Sequence, residues 1–168
     1  GRETYVYGPR LIAAGPSRAC LLYAAETSGN WDIHAVFCGP NGPEEPIRLT
    51  SDPAVDTDPA AAWLDGQLWV AWETNRGPES RRRIAAAAFS QDGRIVCPPA
   101  ILSEDAACAY DPSIAITSEG RIAAAWHSFA QNNFDIYMRE VNSQGPAGPI
   151  RRLTQAATID RHAELFAR

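Results

Sequence analysis

The chain repeats itself with a period of about 50 residues, and this self-similarity restricts the available folds more than any other feature. Asp58-Pro59-Ala60-Ala61-Ala62-Trp63 opens one unit, and Asp111-Pro112-Ser113-Ile114-Ala115-Ile116 opens the next, 53 residues on. Each unit passes a tight turn, Asp65-Gly66 or Glu119-Gly120, into an apolar run ending in tryptophan: Leu68-Trp69-Val70-Ala71-Trp72 and Ile122-Ala123-Ala124-Ala125-Trp126. A polar loop follows, then a third short run, Ile84 to Phe89 or Ile136 to Val141. After a second turn each unit closes on Ile101-Leu102-Ser103 or Ile150-Arg151-Arg152-Leu153-Thr154. A more worn copy comes first, through Gly8-Pro9, Leu11 to Ala14, Cys20 to Ala25, Asn30-Trp31-Asp32-Ile33 and Pro46-Ile47-Arg48-Leu49-Thr50. At the other end, Asp160-Arg161-His162-Ala163-Glu164-Leu165-Phe166 reads as the opening of a fourth copy, with Asp160 in the place of Asp58 and Asp111.

Four short runs per period, bounded by Gly, Pro, Asn and Asp turns, specify strands rather than helices. The alanines from Ala85 to Ala88 favour a helix by propensity alone, but that run is too short and too tightly bracketed by turns. Four strands in a period of this length is the signature of a β-propeller blade. The expected fold is therefore all-β, with three blades of four antiparallel strands over residues 8–55, 56–108 and 109–157. Residues 158–168 would add the first strand of a fourth blade. The Leu-Thr, Asp-Pro-Ala, Trp-Glu/His and Asn-Trp/Phe-Asp-Ile segments resemble the TolB-like and WD40-like propellers. That resemblance implies a six-bladed ring, a protein or peptide bound at the mouth of the channel, and a periplasmic or secreted setting. It carries over no catalytic motif.

Three blades do not close a ring. Both ends of the repeat are apolar, Leu11-Ile12 and Leu165-Phe166, where a terminal repeat ordinarily carries a polar cap. The expectation is a homodimer that completes a six-bladed ring, or a piece of a longer propeller. In the dimer the His162 to Phe166 strand would cross to the partner, innermost in a shared blade or beside Thr4-Tyr5-Val6-Tyr7. The net charge of −5 argues against nucleic acid as a partner. The longest apolar run, Ala19 to Ala25, falls far short of the roughly 20 residues a membrane-crossing helix needs. Cys20, Cys38, Cys97 and Cys108 have no zinc-type spacing. They read as four packed thiols, with a Cys20–Cys38 cross-strand disulfide as the alternative.

Repeat position also predicts where polar residues gather. Asp58, Asp111 and Asp160 would enter first strands, with His162 just behind the last. Glu26, Glu73 and His127 would end second strands. All should meet on one face at the channel mouth, with Trp31 as an aromatic platform in a loop. Asp-Pro is also an ordinary turn signal, which gives those aspartates a structural reading. Asp32 and Asp135 are expected to fix the loop before the third strand, and Arg81-Arg82-Arg83 to form either an anion grip or a solvated loop. No catalytic constellation is legible: there is no G-x-S-x-G elbow, no paired-histidine metal motif and no sign of a cofactor. A carboxylate pair such as Glu26 and Glu73 is of the kind glycosidases use. The sequence thus favours a non-enzymatic recognition or scaffold module, with a lectin-like propeller and a fragment of a propeller hydrolase as alternatives.

Overall fold

The computed structural model describes residues 5–104 and 106–166, Pro78 by its backbone only. Three antiparallel sheets follow one another along the chain. The first holds β1 (Tyr5–Ala13), β2 (Ala19–Thr27), β3 (Asn30–Gly39) and a split outer strand, β4 (Gly42–Pro43) and β5 (Ile47–Arg48), both paired with β3. The second holds β6 (Asp56–Leu64), β7 (Gln67–Thr74), β8 (Arg83–Phe89) and β9 (Ile95–Ile101). The third holds β10 (Cys108–Ile116), β11 (Ile122–Ala130), β12 (Asn133–Asn142) and β13 (Gly145–Arg152). These are three propeller blades, with β1, β6 and β10 packed side by side as the innermost strands. No helix among the described residues is long and apolar enough to cross a membrane.

The continuous apolar runs follow from burial on both faces. Along β7, Leu68, Val70 and Trp72 face the first blade, and Trp69 and Ala71 face the third. Along β8, Ala85, Ala87 and Phe89 face the first blade, and Ile84, Ala86 and Ala88 the third. Every residue of β8 is buried, so the alanines are the spacers that let two neighbouring sheets close on the middle blade. Tertiary packing overrides their helix propensity. Prolines fall where a strand can spare its N–H: Pro43 and Pro46 interrupt the outer strand of the first blade, and Pro98 and Pro99 lie in edge strand β9.

The Leu-Thr segments of the outer blades and Leu102-Ser103 of the middle one close each blade with the same clamp. The amides of Leu49, Leu102 and Leu153 donate to the carbonyls of Ile33, Ile84 and Ile136 at 2.7–2.8 Å. In return the amides of Ile33, Ile84 and Ile136 donate to the hydroxyls of Thr50, Ser103 and Thr154 at 2.9–3.0 Å. Asp32 and Asp135, both fully buried, pair with Arg48 and Arg152 at 2.6 and 2.7 Å. They lie near the start of β3 and β12. The middle blade places Arg83 at that station. The arginine run divides: Arg83 is buried, whereas Arg82 and Arg81 remain substantially solvent-exposed while pairing with Glu73 and Glu79.

The tail departs from expectation. Beyond Arg152 the described residues form no strand, and Ala167 and Arg168 lie outside them, as does Thr4. The segment stays on its own third blade, with the Asp160 amide donating to the Phe134 carbonyl at 2.9 Å and the Leu165 amide to the Ser113 hydroxyl at 2.8 Å. The first blade has its own innermost strand, β1, which is a free edge of its sheet. Tyr5, Leu11, Ile159 and Phe166 are exposed apolar residues, and Leu11 and Phe166 line one cavity.

The Cys20–Cys38 disulfide is excluded by register. Cys20 lies opposite Phe37, and Cys38 opposite Ala19. A one-residue offset sends the two side chains to opposite faces of the sheet, and all four cysteines are free thiols. Burial pushes the Cys20 thiol up to about 12. Under native conditions iodoacetamide is expected to spare Cys20 and Cys97, both sealed in the core. Denaturation should expose four alkylation sites without any prior reduction, as read by intact mass.

Candidate functional site

The mouth of the channel is built from one irregularity repeated in every first strand. The ladder between first and second strands shifts between Tyr7 and Arg10, between Thr57 and Ala60, and between Tyr110 and Ser113. At each shift two residues oppose one, as in a β-bulge. The first residue of each pair, Gly8, Asp58 or Asp111, takes a left-handed backbone with φ of 61°, 50° and 49°. Glycine adopts this freely and aspartate more readily than most residues. Asp58 and Asp111 therefore sit inside their strands, where they had been expected to enter them. The proline that follows each has no N–H to lose from the ladder.

His162 is the fourth member of this series, with φ of 58°. The Asp160 amide bond to Phe134 repeats the Ala109 amide bond to Arg82, which aligns Asp160 with Ala109 and Asp56, and His162 with Asp111. The expected match of Asp160 to Asp58 is thus two residues out of step. Asp56 itself is fully buried, its carboxyl raised by that burial against the pull of Thr74 and Thr50. The second-strand expectation shifts in the same way. Register sets Ala24, Glu73 and His127 at one station, opposite Tyr7, Thr57 and Tyr110. Glu26 lies two residues beyond, where its carboxylate accepts the Gly29 amide at 2.6 Å and closes its own turn. Trp31 packs against the core between the first two blades. Neither lines the mouth.

Asp58, Glu73, Asp111, His127 and His162 do converge, around a cleft of about 350 Å³. Burial raises the Asp58 carboxyl, and the charge of Asp111 raises it further. Asp58 in turn holds the Tyr7 phenol above its ordinary range. Asp111 is far more open, its side chain 41% exposed, with His162 Nδ1 at 2.9 Å and His127 Nδ1 at 3.6 Å. His127 is buried, which disfavours its charged form against the pull of Asp111. It stacks on Tyr110 at 5.5 Å and meets Phe134 edge-on at 5.4 Å. The Arg161 guanidinium lies 3.9 Å over the Phe134 ring. Burial also raises the Glu73 carboxyl, against hydrogen bonds from the Asp111 amide and Arg82.

Tyr7, Tyr110, Phe134 and Arg161 line the cleft without having been singled out as site residues. The available signal was repeat position: the residue before each bulge, and the residue entering each third strand. Among the described residues no group of three metal-ligating side chains comes together.

No family model matches the chain, and no curated protein matches it. Its backbone is similar to several solved glycoside hydrolases. A thermostable family-43 glycoside hydrolase superposes with a TM-score of 0.64 at 17% identity, over 93% of this chain and 56% of that one. An alpha-L-arabinofuranosidase from Lactobacillus brevis gives 0.57 at 13%, over 83% and 50%. An endo-arabinase from Bacteroides thetaiotaomicron gives 0.56 at 18%, over 92% and 58%. At such identities the likeness establishes the fold, an all-β propeller architecture, of which this chain spans about half the length of those structures.

Proposed function

We propose that the mouth is the reaction site of a propeller glycoside hydrolase, to which this chain contributes three blades. The observation that carries the reading is the meeting of Asp58 and Asp111 in unlike environments. Glycosidic cleavage generally uses two carboxyl groups, one protonated to donate to the leaving oxygen and one ionised to activate water or attack the sugar. Environments that drive two such groups apart assign the roles. Asp58, half-buried and facing the charge of Asp111, is the proton donor. Asp111, solvent-open and flanked by His162, is the second carboxylate, placed to activate water or attack the sugar. The aromatic wall of Tyr110 and Phe134 supplies apolar surface of the kind that sugar rings lie against. The names of the similar structures point to arabinose-containing glycans as the first probes.

The test is incubation of the protein with arabinan oligosaccharides, following new reducing ends, alongside calorimetric titration with the same glycans. Release of shorter sugars that is lost in Asp111→Asn, with binding retained, supports the proposal. Binding without turnover in the native protein favours the lectin-like reading. Neither binding nor turnover by any glycan returns the mouth to protein or peptide recognition.

A further inference from the structure

The third carboxylate of the cleft has no free edge for chemistry. Glu73 is 4% exposed and stands on the second strand of the middle blade, yet its partners come from two different places. Arg82 Nη1, at the entry to the third strand, donates to Oε2 at 2.5 Å. The backbone amide of Asp111, in the neighbouring blade, donates to Oε1 at 2.9 Å. That amide needs an acceptor, because the β10–β11 ladder skips Asp111 and Pro112 and an unpaired backbone donor in a half-buried site is costly.

We infer that Glu73 is a positioning residue: it crosses the blade boundary to hold Asp111 in its left-handed backbone conformation, and Arg82 pins it in place. The geometry is directional. A charge-assisted bond donated to a buried carboxylate is stronger than a neutral one, and it stabilises the bulge conformer that aims the Asp111 side chain into the cleft. Loss of the bond lets the peptide relax toward negative φ, where a non-glycine residue is more comfortable, and that swings the carboxylate away from Asp58. The neighbouring stations show that the device is local. The first blade has Ala24 at this position, and the third has His127, whose ring meets His162 of the next bulge at 5.6 Å.

The role of Asp111 in turnover rests on the hydrolase proposal, whereas the Glu73–Asp111 clamp does not, so the experiment reads both separately. In ¹⁵N-labelled protein the Asp111 amide is followed in wild type, Glu73→Ala and Glu73→Gln. Glu73→Ala should move that resonance upfield and remove its protection from hydrogen exchange. Glu73→Gln, which keeps an acceptor oxygen, should restore most of both. Arg82→Ala, which unpins the carboxylate but leaves it present, should give an intermediate displacement and serves if Glu73→Ala does not fold. With arabinan oligosaccharides, Glu73→Ala should lower kcat roughly 100-fold with KM little changed, the scale expected for misplacing a reacting group by about 1 Å, and Glu73→Gln should recover it. An Asp111 amide unmoved in Glu73→Ala overturns the inference. An amide that responds in a protein with no glycan turnover upholds the clamp and removes the hydrolase reading instead.

Discussion

Replacing Trp72 by alanine is expected to cost about 3–5 kcal/mol of folding stability, the range for truncating a large aromatic in a close-packed core. Trp72 is fully buried on the face that β7 turns toward the first blade, among Leu22, Ala24, Phe37 and Phe89. It also stands opposite the two-residue bulge of Asp58 and Pro59. The alanines around it carry only a methyl group, too small to refill the space, so the cavity should persist rather than collapse. For a chain of this size the loss corresponds to a fall in Tm of roughly 10 °C or more, measurable by calorimetry. Trp31→Ala is the control: it packs against the same cluster from a partly exposed position and should cost clearly less. A Trp72→Ala protein that melts within a degree or two of wild type would contradict the sheet-on-sheet packing described above.

The same packing explains why the blades were legible in the sequence. Short apolar runs between turn residues encode strands buried on both faces, and Leu49-Thr50, Leu102-Ser103 and Leu153-Thr154 mark one clamp made three times. Spacing by similarity failed where the backbone departs from regular pleating. A bulge adds a residue on one strand but not on its partner, so letter matching placed Glu26 level with Glu73 when the register places Ala24 there. It likewise paired Asp160 with Asp58, although the left-handed residue of that series is His162. The Cys20–Cys38 pairing failed for a related reason: symmetry about a turn says nothing of which face a side chain takes, and a single residue of offset reverses it. Tyr7 and Phe134 were hidden because each is unremarkable within its own repeat, and Arg82, noticed as part of the arginine run, was not assigned to the mouth. Only the packing of β1, β6 and β10 brings such stations from successive blades to one cleft. What the repeat did carry was the address of the mouth: Asp58, Glu73, Asp111, His127 and His162 all arrive there.

Substitution of either Asp58 or Asp111 by asparagine is expected to lower glycan turnover by about 10²–10⁴-fold, the usual contribution of a positioned acid or base. Asparagine tolerates the left-handed backbone as aspartate does, so these changes test charge without disturbing the bulge. The pH dependence follows from the environment of Asp58. It must carry its proton to act as donor, and burial together with the Asp111 charge raises its carboxyl above the ordinary 3.8. The alkaline limb of the rate profile should therefore lie above the normal carboxylate range. Asp111→Asn removes one of the two causes, so a titration of the Asp58 side chain by carbon-detected NMR should move to lower pH in that variant. Stability changes in the same sense as the availability of that proton. Between the unfolded and the raised folded value the native state binds more protons than the unfolded one, so the contribution of Asp58 to stability is greatest in acid and is lost as pH rises through its folded value. Asp58→Asn should accordingly be flatter in stability across that window than wild type, while being nearly inactive. A variant that loses stability at neutral pH and keeps its turnover would show that Asp58 serves the bulge and not the chemistry.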